Sequence, residues 1–154
     1  MRDANITIVR SIMVEEQIFY QREAARAAGL NSGTLKTWRR RHLVDKAIGR
    51  QRQWVKYSFV DICSIRLTQT LSAAGIESVH WGAIVAAARP VFVAASKDIE
   101  SWLVVVPGGD RALAFFVTDN AGVARAVSKS PVVYCIALQK IIAAVASALR
   151  AAQP

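Results

Sequence analysis

Residues 21–40 read QREAARAAGLNSGTLKTWRR, and the fold turns on this stretch. Gln21 to Ala28 reads as a short alanine-rich helix that Gly29 stops. Asn31 and Ser32 are good N-cap residues, because a short side-chain oxygen accepts from the free N–H groups of a first helical turn. A second helix is therefore expected from about Gly33 to Arg41. Two helices that cross closely need a small residue at the crossing and a sharp turn four places later. Ala25 and Gly29 meet those needs. Ala24, Ala28, Leu30, Leu35 and Trp38 supply a shared apolar core. Lys36, Thr37, Arg39 and Arg40, with Thr34 near the start, are left for the far face. This is a helix-turn-helix pattern, whose second helix fits the major groove of duplex DNA, where base edges carry a donor and acceptor code.

Charge points the same way. The 154-residue chain has a formal net charge of +9. Residues 20–57 hold ten basic side chains (Arg22, Arg26, Lys36, Arg39, Arg40, Arg41, Lys46, Arg50, Arg52 and Lys56) against two acidic ones, Glu23 and Asp45. That local excess of eight is nearly the whole of the total. Charge confined to a quarter of the chain is an electrostatic footprint, and phosphate backbone is its natural counterpart, since neutralising phosphates releases condensed counterions.

Outward from this segment the pattern continues. Val44 to Gln53 is polar and basic, with Gly49 as a turn, and Trp54 to Tyr57 has strand character. Ser58 with Asp61 opens a third helix in a capping-box manner; its apolar positions run through Ile62, Ile65 and Leu67 to Leu71, and Gly75 ends it. Glu77 to Ala88 reads as a fourth helix, halted near Pro90. Composition then changes after Ala95. Trp102–Val106 and Leu113–Thr118 read as strands around a Pro107-Gly108-Gly109-Asp110 turn. Asp119 to Gly122 reads as another turn, followed by a strand at Val123–Val127. Val132–Ile136 reads as a further strand before a closing helix from Leu138 to Ala152, although Pro131 could instead open one long helix. Before residue 19, the apolar run Ile6–Val9 and Ile12–Val14 is compatible with a strand or a helix.

The segment QREAARAAGLNSGTLKTWRRRHLV, the basic stretch ending WVKYS, and FVDICSIRLTQTLSAAGIE together resemble the MerR-like winged-helix DNA-binding domain over residues 19–88. In that family a β-wing follows the helix-turn-helix, a Tyr-Ser pair starts a third helix, and a Gly-hydrophobic step precedes a fourth. Here Leu43, the wing around Arg50 to Lys56, Tyr57-Ser58, Asp61 and Gly75-Ile76 match those features. The resemblance implies that Thr34, Lys36 and Thr37 contact DNA from the recognition helix, and that Arg50, Arg52 and Lys56 reach phosphate from the wing. Arg39, Arg40 and Arg41 run around the helix, so one or two of them can face DNA. The family often carries two aromatics followed by Glu in this helix; here stand Thr37, Trp38 and Arg39. The long coiled-coil helix by which full-length members dimerise has no counterpart.

The expected fold is α+β: an N-terminal extension (residues 1–18), a winged helix-turn-helix (19–90), and a small α+β lobe (95–154) with a short antiparallel sheet and a C-terminal helix, for dimerisation or sensing. Ile141, Ile142, Val145 and Leu149 place an apolar face on the closing helix that has to be buried somewhere. Trp38, Trp81 and Trp102 read as core or interface, Trp54 and Tyr57 as wing packing. His42 and His80 stand too far apart to share a metal and read as structural. Cys63 and Cys135 read as buried reduced thiols. No catalytic constellation, P-loop or dinucleotide fingerprint occurs, so neither enzymatic activity nor a cofactor or metal is expected. No apolar run reaches the roughly 18 residues of a membrane span, and a cytoplasmic, nucleoid-associated protein is expected. The functional expectation is a bacterial transcriptional regulator that binds double-stranded DNA as a homodimer, with no effector named by the sequence. The alternative is an excisionase-like architectural protein of a mobile element.

Overall fold

The computed structural model describes residues 18–41, 43, 56–94 and 100–152. Four helices come first: α1 (Gln21–Ala27), α2 (Ser32–Arg40), α3 (Phe59–Ala73) and α4 (Ser78–Val93). Strand β1 (Trp102–Pro107) and strand β2 (Leu113–Thr118) follow, then α5 (Asn120–Lys129), β3 (Tyr134–Ala137) and α6 (Leu138–Arg150). The strands form one antiparallel sheet in the order β2-β1-β3. The expected N-terminal strand or helix, the Gly49 turn, Trp54 and most of the expected wing lie outside the described residues.

Helix α1 is only seven residues long and buries Ala24, Ala25 and Ala27, with Ala28 just after it. Side chains this small let α2, α3 and α6 all approach its axis closely. Gly29 follows at φ +76°, a backbone region that L side chains rarely adopt, and this turns the chain into α2. Ser58 and Asp61 make the expected reciprocal cap of α3. The Ser58 hydroxyl accepts from the Asp61 N–H at 3.2 Å, and the Asp61 carboxylate accepts from the Ser58 N–H at 2.9 Å. Asp61 is fully buried, and its second oxygen pairs with Arg89 of α4 at 3.3 Å, which ties the start of α3 to α4.

The sheet has two different faces. Leu103 and Val105 of β1, opposite Val117 and Phe115 of β2 and Ile136 and Tyr134 of β3, turn toward the helical core. Trp102, Val104 and Val106 alternate to the other face, against which α5 packs. The apolar face of α6 (Leu138, Ile141, Ile142, Val145 and Leu149) is buried against α1, α3 and α4. One hydrophobic cluster thus runs from Ala24 to Leu149, and the closing helix spends its apolar face within its own chain.

Four expectations are corrected. The fourth helix does not halt at Pro90 but runs through it to Val93. Pro90 lacks the N–H that Ala86 would otherwise receive, but both residues are exposed, so water can serve that carbonyl. Val123–Val127 is not a strand; it lies within α5. Asp119 is not a turn residue between strands but an N-cap, its carboxylate accepting from the Gly122 N–H at 2.9 Å. Gly122 is buried because α5 starts directly on β2, and a Cβ there would collide with the Thr118 side chain. Cys135 is exposed, whereas Cys63 is buried as expected.

Gly122→Ala is expected to destabilise the fold by about 1–3 kcal/mol, the usual cost of overpacking, read as a lower denaturation midpoint at unchanged slope. The two thiols are expected to separate chemically. Burial pushes the Cys63 thiol far up from its ordinary value, against a smaller lowering by Arg66. A disulfide reagent should therefore titrate Cys135 alone in the native protein and both thiols in denaturant. Because the folded state holds the Cys63 proton longer than the unfolded chain does, this thiol supports the fold below pH about 9 and ceases to as pH rises further.

Candidate nucleic-acid interface

The site is built around α2, and the turn before it comes first. Asn31 caps α2 with its side-chain oxygen, which accepts from the Thr34 N–H at 2.7 Å, a contact worth about 1 kcal/mol. The Leu30 N–H donates to the Ala25 carbonyl at 2.8 Å, closing the turn over α1. Arg66 reaches across from α3, its Nη1 donating to the Ala27 carbonyl at 3.1 Å. That cation satisfies a carbonyl at the C-terminal end of α1, where positive charge is favoured.

The two sides of α2 then differ in character. Leu35 is fully buried, and Trp38 stacks on Trp81 of α4 with ring centroids 5.3 Å apart and planes at 49°. Tilted aromatic pairs of this kind contribute about 0.5–1.5 kcal/mol beyond their buried area. Trp81 is held in turn, its indole N–H donating to the Ile76 carbonyl at 2.9 Å. On the opposite side, Gly33, Lys36, Thr37, Arg40 and Arg41 are exposed. At 100° per residue these positions share one face of the helix. No acidic side chain lies in the first turn, and Arg39 and Arg40 occupy the last.

The expected site residues do not all share that face. Lys36, Thr37, Arg40 and Arg41 do. Thr34 is half-buried at its edge. Arg39 is half-buried and turned back toward α1, where its Nη1 donates to Gln21 Oε1 at 2.6 Å. Gln21 also donates from Nε2 to the Ser32 carbonyl at 3.4 Å, so this one amide ties the start of α1 to both ends of α2. Sequence reasoning assigns Gln21 no role, since no local pattern links it to Arg39 across the turn. Lys56 is exposed, and Arg50 and Arg52 lie outside the described residues.

The chain that leads into α1 and the chain that leads into α3 are pinned together. Phe19 and Tyr57 exchange both backbone hydrogen bonds, each at 2.9 Å. Tyr57 is fully buried, which removes it from any base-stacking role. His80 is half-buried, and His42 lies outside the described residues. Among the described residues no group of three or more His, Cys, Asp or Glu side chains comes together in a way that could hold a metal ion. No helix among them is long and apolar enough to cross a membrane.

Residues 21–78 match the model of a family described as MerR HTH family regulatory protein. They form a MerR-like helix-turn-helix domain, comprising α1, α2, α3 and the first residue of α4. No protein of curated function matches the chain.

Two neighbouring arginines should behave differently. Arg39→Ala is expected to lower stability by about 1–2 kcal/mol, because it removes a charge-assisted bond and leaves Gln21 half-satisfied. Arg40→Ala, on the exposed face, should leave stability within about 0.5 kcal/mol of the parent. Urea denaturation of both variants checks this.

Proposed function

We propose that this protein is a transcriptional regulator that binds duplex DNA in a sequence-specific manner, with α2 in the major groove and the basic segment up to Lys56 on phosphates. The carrying observation is the two-sidedness of α2. Its inner side is fixed by Leu35 and by Trp38 on Trp81, and its outer side presents Lys36, Thr37, Arg40 and Arg41. The match of residues 21–78 to the MerR family of regulators supports the same reading.

In this reading Lys36 and Thr37, at the centre of the exposed face, read base edges. Arg40 and Arg41, at the helix end, contact the phosphates that flank the groove. Thr34 contributes at the edge, Arg39 positions the helix through Gln21, and Arg50, Arg52 and Lys56 neutralise phosphate from the wing. A homodimer on a two-fold operator would double these contacts and fix the half-site spacing. Residues 19–90 carry the DNA contacts, and residues 95–154 support them. The protein works on the nucleoid, in the cytoplasm, and its activity is regulatory rather than catalytic.

The test is footprinting and titration on the DNA upstream of the protein's own coding sequence. Lys36→Ala and Arg40→Ala are each expected to weaken binding by roughly tenfold or more, as loss of a base or phosphate contact does. Affinity should fall steeply as salt rises, with a smaller slope in Arg40→Ala. Binding that ignores salt, or none to any duplex, would overturn the proposal. Strong bending of an integration site, with no preference for the upstream region, would replace it with an architectural role.

A further inference from the structure

We propose that the groove between α5 and the outer face of the sheet binds a small single-ring anion, an apolar body carrying one carboxylate or sulfonate. The inference stands apart from DNA binding, since it uses none of the α2 surface. The groove holds a cavity of about 280 Å³. Its floor is apolar, made by Val106 of β1, Phe116 of β2 and Ala126 of α5, with the Gly122 backbone beside them. Phe116 is 40 % exposed, mid-strand on the face against which α5 packs.

The rim is chemically one-sided. Arg125, Lys129 and Ser130 line it, and no acidic side chain does. Arg125 and Lys129 stand four residues apart, on the same side of the helix. Of the acids before it along the chain, Asp110 lies in the turn between β1 and β2 and does not line the groove, and two others are engaged at the far end of α5. Asp119 caps the Gly122 N–H, and Glu100 accepts from Asn120 Nδ2 at 2.8 Å. An apolar floor with hydrogen-bond donors and two cations around it matches the general pattern of small-ligand sites, in which a few polar groups fix the orientation of an apolar body. The volume sits at the lower end of such sites, which restricts the occupant to about one ring. A second copy of the chain fits poorly, because an isologous contact sets the same patch on both sides and this one brings two cations and no acid to pair them.

The experiment uses the full chain without DNA and follows 4-fluorobenzoate by fluorine NMR. The neutral 4-fluorobenzamide, of the same ring and size, serves as the control. The benzoate is expected to bind saturably at one site, roughly tenfold or more tighter than the amide. Arg125→Gln with Lys129→Gln, both exposed and outside the core, should remove that preference while leaving α2-dependent DNA binding unchanged. Equal binding of amide and benzoate would overturn the proposal, as would the absence of saturable binding or full displacement by inorganic phosphate at equal concentration. A concentration-dependent dimer that excludes the benzoate and is lost in Phe116→Ser would overturn it in favour of a second copy.

Discussion

Everything in this molecule leans on a helix that cannot stand alone. Helix α1 has seven residues, far short of the roughly 12–15 that an isolated helix needs in water. It exists because Ala24, Ala25, Ala27 and Ala28 are buried by α2, α3 and α6. Each alanine contributes little apolar area, so the gain comes from how closely the neighbours approach and how well they exclude water. A larger side chain at Ala24 or Ala28 would push α2 away from α3 and tilt the exposed face that carries Lys36 and Arg40.

That dependence joins the two halves of the chain. The sheet and α6 do not simply follow the helix-turn-helix; α6 packs directly on α1, and α4 packs against β2. The same packing settles where the apolar face of α6 goes. Ile141, Ile142, Val145 and Leu149 are used inside the chain. A second copy, where one binds, has to use another surface.

The helical half was legible because its signals are local. Gly29, the Asn31 cap and the Ser58-Asp61 box each act within four residues, and each stands in the structure where its chemistry put it. The hairpin strands were legible for the same reason, a turn flanked by apolar runs. The errors came where tertiary context outweighed propensity. Val123 and Val127 favour strands, but Asp119 caps a helix start, and Gly122 is small because that helix sits on Thr118, a contact no local pattern reveals. Pro90 reads as a stop because its missing N–H is a local fact, whereas the exposure that makes the loss tolerable is not. The pairing of Arg39 with Gln21 spans eighteen residues and was equally out of reach.

Arg39 also bears on how the basic count should be read. Where the resembled family often has aromatic, aromatic and Glu, this chain has Thr37, Trp38 and Arg39, which by charge alone suggests a more cationic groove face. The geometry divides these three positions. Thr37 faces outward, Trp38 is stacked on Trp81, and Arg39 is bonded back to α1. The side chain that brings the added charge therefore also holds the helix to α1. At the centre of the exposed face this leaves a short polar side chain, Thr37, beside Lys36. A hydroxyl accepts and donates at close range but cannot form the bidentate pairs that Arg, Asn or Gln make with a base edge. A side-chain set of this composition is better suited to attracting phosphate than to pairing with base edges.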